Sequence, residues 1–311
     1  MPIRHHCILA ALLAVLAPAS AQPQSAEAAK PVYRSAKEII DAAPASAWRD
    51  IAPGNTLYME LPAGRVVIEL APGFAPAHVA NIKALAQGGF WNGLSIYRAQ
   101  DNFVVQFGDP DADDASKRKP FPQGANERLP AEFTRPSKAL QFDVLADADG
   151  WAKQVGFADG FPAAREGTTG AAWLAHCYGA VGAGRNNEAD SSTGAELYVV
   201  IGQAPRQLDR NITLVGRVVK GMEHLSAIAR GPEPMGFYDT PQMRVPIKSV
   251  ALASNVPEAE RIPLQALRTD TPSFAAATEA RRNRRDDFYK TPAGHIDLCN
   301  VPLPVRIKPG K

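Results

Sequence analysis

No run of this 311-residue chain is both apolar and long enough to cross a bilayer, which takes about 20 residues. Strong charge of one sign is missing too. Lys+Arg 34 against Asp+Glu 32 leaves a formal +2, which argues against nucleic acid or another polyanion as a partner. The Gly-x-Ser-x-Gly elbow, the His-Glu-x-x-His pair and the phosphate loop are all absent, so hydrolase and nucleotide chemistry lose their usual supports. The glycine-rich run at 179–184 leads into a polar loop instead of a helix, which speaks against a dinucleotide fold. No internal repeat is visible. What the chain has in quantity is proline, 27 residues beside 24 glycines, and this favours β structure with many turns and irregular arms over a helical bundle. With 45% hydrophobic residues it is long enough to bury a full core.

Cysteine is scarce, at three positions. Residues 1–21 run from Arg4-His5-His6 through an apolar stretch at 8–17 to the small residues before Ala21, the order of a secretory signal peptide cleaved after Ala21. The mature chain is therefore expected in the periplasm or secreted. Cys7 precedes the apolar stretch, so it cannot become a lipidated first residue of the mature chain. The two remaining cysteines, Cys177 and Cys299, suit a disulfide in an oxidising compartment. Two alternatives stay open: a metal site built from His176, Cys177, His295 and Cys299, or a pair of unpaired buried thiols.

Along the chain, 22–54 reads as a linker and N-terminal arm. It includes a short helix whose Ser35 and Glu38 have capping-box spacing. Period-two alternation at 57–61 and 66–70 around Pro62-Ala63-Gly64 predicts an antiparallel hairpin. Residues 77–87 place Val79, Ile82, Leu85 and Ala86 on one helical stripe. Further strands are expected at 94–98, 102–108, 137–144, 172–181, 197–202, 213–219 and 247–253, with a short helix at 221–230. The Gly/Asp-rich excursion 146–170 has no placement, and its acidic residues are too few for a metal. Past Val256 the chain turns irregular, with a helix at 273–289 whose arginine run reads as a solvated face. About eight strands and two substantial helices point to a mostly β protein, a closed antiparallel barrel or sandwich.

The stretch richest in chemistry is Tyr97-Arg98, then Phe103-Val104-Val105-Gln106-Phe107-Gly108-Asp109. Strand alternation puts Val104 and Gln106 on one face, and a hairpin partner can bring Arg98 beside them. A guanidinium, an amide and an apolar cluster then meet on one wall. This constellation resembles the signature of cyclophilin-type peptidyl-prolyl isomerases. The resemblance extends to Gly64-Arg65-Val66-Val67-Ile68-Glu69-Leu70, Ala75-Pro76-Ala77-His78-Val79-Ala80-Asn81-Ile82 and Leu129-Pro130-Ala131-Glu132-Phe133. It continues through Gly194-Ala195-Glu196-Leu197-Tyr198-Val199-Val200-Ile201, Leu208-Asp209 and the 215–222 segment. It spans about 55–255, with an insertion near 140–175 and a C-terminal extension at 256–311.

The resemblance implies a closed eight-stranded barrel capped by two helices, proline-containing polypeptides as clients, and no cofactor or metal. It casts Arg98 and Gln106 as catalytic, and Phe103, Val104, Gly184, Val199 and Leu208 as substrate-binding. Val199 stands where the family usually has an aromatic, Gln207 where many members have Trp and Ile212 where many have His, so a wider and less polar proline pocket is expected. Two readings follow: an isomerase that assists the folding of exported proteins, or a peptide-binding holdase on the same barrel with weak or no catalysis.

Overall fold

The computed structural model describes residues 33–286 and 288–310, so the expected leader at 1–21 and the linker at 22–30 lie outside the described residues. Eight strands build the central sheet: β1 (Thr56–Leu61), β2 (Gly64–Leu70), β3 (Ser95–Ala99), β4 (Val104–Gly108), β5 (Ala180–Ala183), β6 (Leu197–Val200), β7 (Leu214–Lys220) and β8, formed by Val245–Pro246 and Ser249–Leu252. The helices are α1 (Ala36–Asp41), α2 (Pro76–Gln87), α3 (Met222–Ser226) and α4 (Pro272–Arg282).

The strands pair antiparallel in the order β3-β4-β6-β5-β7-β2-β1. The two halves of β8 close the circle. Val245–Pro246 pairs with β3 and Ser249–Leu252 pairs with β1. Between them, the Ile247 N–H reaches the Leu94 carbonyl and the Lys248 N–H the Glu60 carbonyl. One segment thus satisfies both free edges of the sheet, which removes the exposed edges a barrel must avoid.

Alternation decides what fills the barrel. Leu57, Met59, Val66, Ile68, Val105, Phe107, Val181 and Val199 point inward and pack with Val79, Ile82 and Leu85 of α2 and Leu225 of α3. Pro76 occupies the first turn of α2, where its missing N–H costs nothing. The N-terminus of that helix is held by Glu132, whose carboxylate accepts from the Ala77 and His78 N–H groups and from the His78 ring.

A second core lies outside the barrel and is assembled from three distant parts of the chain. The N-terminal arm supplies Trp48–Asp50, which pairs with Leu264–Leu267, and that strand pairs in turn with Val305–Ile307. The insertion supplies a five-stranded sheet ordered 135–136, 171–174, 161–165, 154–158, 143–145. Between the sheets, Trp48, Phe157, Trp173, Leu267, Phe274 and Leu298 form one apolar cluster. A Cys177–Cys299 disulfide ties the insertion side to the C-terminal segment. That bond engages both cysteines of the alternative metal set, and the His176 nitrogens are bound to Asp209 and Tyr198.

Several sequence expectations change here. The unplaced 146–170 excursion holds the hairpin Gln154–Ala158 and Phe161–Arg165, turned at Asp159-Gly160 with both residues at positive φ. The strand expected at 137–144 is a turn flanked by the short strands Arg135–Pro136 and Asp143–Leu145, and the single Ser137 hydroxyl proton is shared between the Gly167 and Gly170 carbonyls. The strand expected at 172–181 breaks between Leu174 and Ala180. Helix α3 stops at Ser226 and α4 at Arg282. Arg282 also leaves the solvated role expected of it, pairing with the buried Asp147 carboxylate and with Glu279.

Candidate active site

The site begins with the hairpin of β3 and β4, where Arg98 lies opposite Gln106 in register. Arg98 Nη1 donates to Gln106 Oε1 at 3.0 Å, Nη2 to Gln100 Oε1, and Nε to the Met235 carbonyl at 2.7 Å. Its three nitrogens are therefore all anchored, and the guanidinium plane is fixed. Burial lowers the Arg98 pKa from its ordinary value, yet a guanidinium stays charged in a protein. The result is a half-desolvated cation held against a barrel wall.

Gln106 extends the chain of bonds. Its Nε2 donates to Tyr97 Oη at 2.7 Å, and the Tyr97 hydroxyl donates to Glu196 Oε2. Glu196 also accepts the Asp109 N–H at 2.7 Å. Burial pushes the Glu196 carboxyl up to about 7 against the lowering effect of those two donors, while burial first and the neighbouring Glu196 second push the Tyr97 hydroxyl well above its usual range. Gly108 makes this approach possible, because a Cβ built there would lie 2.1 Å from a Glu196 carboxylate oxygen. The Gln106 side-chain amide nitrogen carries two protons. With one given to Tyr97, the other is left for a peptide carbonyl. Gly184, directly after β5, brings its backbone beside Gln106 Nε2: a Cβ on Gly184 would sit 3.8 Å from it.

The apolar side is less open than the sequence suggests. Phe103 is partly exposed and its ring centroid lies 5.8 Å from the Arg98 guanidinium carbon. Val104 is 2% exposed and packs in a cluster with Tyr198, Val200, Leu214 and the inserted sheet's Phe161 and Leu174. Val199 does not reach the site, because its side chain points into the barrel and is fully buried. The strand registers explain the error: Tyr198 pairs with Gln106 and Val200 with Val104, while Val199 pairs with Val105. Tyr198 is thus the aromatic on the site face of β6, and it stands one residue from the position to which sequence reasoning assigned that role. The parity of β4 was the signal that could have found it.

Tyr198 is braced from below. His176 Nε2 bonds the Tyr198 hydroxyl at 2.8 Å and His176 Nδ1 bonds Asp209 Oδ1 at 2.8 Å, while the two rings stack 9° from parallel. Arg206 pairs with both Asp209 and Asp149, and the Trp173 indole N–H reaches Asp209. Burial would raise the Asp209 carboxyl, but His176 and Arg206 outweigh it and hold it below the ordinary value. Leu208 lies partly exposed on the Arg206–Leu208 turn that carries Asp209. Arg98, Gln106, Gly184 and Phe103 therefore converge, Val104 lies beneath Phe103 and Val199 lies apart. Sequence reasoning gave no role to Tyr97, Glu196 or Tyr198, and weighed His176 only as a metal ligand.

The family model for cyclophilin-type peptidyl-prolyl cis-trans isomerases matches residues 56–252. The chain belongs to that family. It is therefore a prolyl isomerase that acts on proline-containing peptides. A probable peptidyl-prolyl cis-trans isomerase of Brucella suis biovar 1 (strain 1330) is 28% identical over 186 residues, covering 58% of this chain and 74% of the relative. The human peptidyl-prolyl cis-trans isomerase-like 1 is 36% identical over 69 residues, covering 22% and 39%. The crystal structure of cyclophilin AquaCyp293 from Hirschia baltica superposes with a TM-score of 0.66 at 24% identity, covering 89% of this chain and 98% of that one. The likeness is one of fold and takes in much of the second core as well as the barrel.

Proposed function

We propose that this isomerase twists the X-Pro bond with Arg98 and Gln106, and that it serves the folding of proteins exported with it. A prolyl amide rotates over a barrier of about 18–20 kcal/mol because twisting breaks its resonance. The twisted state returns a lone pair to the prolyl nitrogen, and a fixed cationic donor aimed at that nitrogen stabilises it more than either planar isomer. The observation that carries this reading is the triple anchoring of Arg98 beside Gln106: the charge is in place before substrate arrives. Gln106 and the Gly184 backbone hold the peptide, Phe103 and Leu208 wall the proline ring, and Tyr198 and Val104 lie under it as the floor.

Export is supported by the order of residues in 1–21 and by a disulfide of a kind that persists in oxidising compartments. A protease-coupled assay on a short Xaa-Pro peptide tests the activity assignment. Mass determination of the mature N-terminus, expected at Gln22, together with fractionation of producing cells tests the location. An uncleaved chain retained in the cytoplasm would refute the export reading.

A further inference from the structure

The loop between α3 and β8 places two large apolar side chains in solvent beside the guanidinium. Met235 is 49% exposed and Phe237 45% exposed. The loop is locked in place. The Gly231 N–H donates to the Ala99 carbonyl, the Ala99 N–H to the Gly236 carbonyl, and the Tyr238 N–H to the Tyr97 carbonyl. Gly236 has φ +75°, and a Cβ there would come within 2.5 Å of the Gln100 backbone, so the loop lies flat against the edge of β3. Its Met235 carbonyl accepts from Arg98 Nε, and the Phe237 ring lies 4.9 Å from the Arg98 guanidinium carbon while stacking on Tyr97 at 13° between planes.

Arg98 is thus flanked by two aromatic rings, with Phe103 on the proline side and Phe237 on the other. Phe237 also lines a cleft of about 720 Å³ together with Tyr97, Gln106, Gly184 and Glu196. With a prolyl nitrogen at Arg98 and a carbonyl at Gln106, that cleft is within reach of the residue next to the proline. A rigid exposed aromatic at this point adds apolar area at little conformational cost on binding.

We propose that Phe237, with Met235 beside it, is a specificity-determining wall that selects clients with a bulky apolar residue immediately before the proline. The inference rests on the isomerase reading of Arg98 and Gln106, and names the substrate class of that same site.

The test uses the full mature protein and a peptide series Xaa-Pro with Xaa as Gly, Ala, Leu and Phe. The wild type should favour Leu or Phe over Gly by about tenfold in kcat/KM, the size expected of one well-filled apolar contact. Phe237→Ala should bring that ratio to within about twofold, and Phe237→Leu should keep most of it. Circular dichroism checks that each variant is folded. If Phe237→Ala leaves the Leu-to-Gly ratio unchanged, or if the change follows the residue after proline, the proposal is overturned. Fluorescence anisotropy with labelled Leu-Pro and Gly-Pro peptides gives the same ratio as affinities. A wild type that binds Leu-Pro more tightly, loses this with Phe237→Ala and turns over no peptide would uphold the wall and refute the catalytic reading.

Discussion

The two sides of the site are built differently. The polar side, Arg98, Gln106 and Tyr97, comes from one hairpin, and its bonds to one another span nine residues or fewer. The apolar side, Val104 and Tyr198, takes its packing from Phe161 and Leu174 of the insertion and its brace from His176 and Asp209. The first can assemble wherever the barrel folds. The second needs the insertion in place, and the insertion's core is completed by both ends of the chain. The proposed catalytic charge is therefore local to the barrel, whereas the proposed slot for the proline ring depends on residues more than a hundred positions apart.

Breaking the second core should separate the two sides most sharply. Cys177 and Cys299 close a loop with a separation of 122 residues, and in the chain-entropy model such a bridge stabilises by up to about 4–5 kcal/mol. The Cys177→Ser, Cys299→Ser double variant should lower the urea midpoint of the whole molecule. It should also raise KM for Xaa-Pro peptides, because the braced aromatic loosens while Arg98 stays anchored. A variant with an unchanged midpoint would show that the second core holds itself together without the bridge.

Removing the charge should do the reverse. Arg98→Ala should lower kcat/KM by ten- to a thousand-fold, at about 1.4 kcal/mol per decade, with little loss of stability. Arg98→Lys should restore part of it, since an ammonium cannot bond Gln106, Gln100 and the Met235 carbonyl in one plane. Turnover unaffected by Arg98→Ala would move the catalytic role elsewhere on the wall.

The same division governs what could be read in the sequence. The β1–β2 hairpin, α2 and the Arg98–Gln106 pairing rest on local patterns of two and 3.6 residues, and these were legible. Tyr198 was missed because contact with the site is decided by strand parity. In the fully apolar run 197–201 no polar residue marks which face is which. The inserted hairpin had a signal, Asp159-Gly160 between apolar residues, which is a strong two-residue turn motif, but the glycine and aspartate around it read as loop. The shared core of arm, insertion and tail had none, since nothing local announces that Trp48, Trp173 and Phe274 will meet.

A smaller effect tests the brace alone. Tyr198→Phe keeps the ring and removes the hydroxyl, leaving a fully buried His176 Nε2 without its partner. An orphaned buried polar group costs about 1–3 kcal/mol, so chemical denaturation should show a loss of roughly that size. Because the ring still floors the slot, kcat/KM should change by less than about threefold. A large kinetic loss with no loss of stability would mean that the hydroxyl itself meets substrate.

The smallest effect lies in Glu196, on the polar side, and it appears as a dependence on pH. Its folded carboxyl is pushed up to about 7 by burial, above the ordinary 4.5, so between those values the native state holds a proton that the unfolded chain has released. Stability contributed by this group is therefore greatest below about pH 4.5 and declines as pH rises through 7, because the native state must then ionise a buried carboxyl or forgo its proton advantage. Between pH 6 and 8 the decline amounts to about 1 kcal/mol, taking 1.36 kcal/mol per unit of pKa difference. Glu196→Gln keeps an acceptor oxygen for the Asp109 N–H, turns an amide N–H toward the Tyr97 oxygen in place of the second carboxylate oxygen, and cannot ionise. Its stability relative to the wild type should rise by that amount from pH 6 to pH 8 in parallel urea titrations. If the wild type and Glu196→Gln lose or gain stability in step across that range, Glu196 does not titrate near 7, and the chain of bonds from Arg98 ends in a carboxylate that stays ionised.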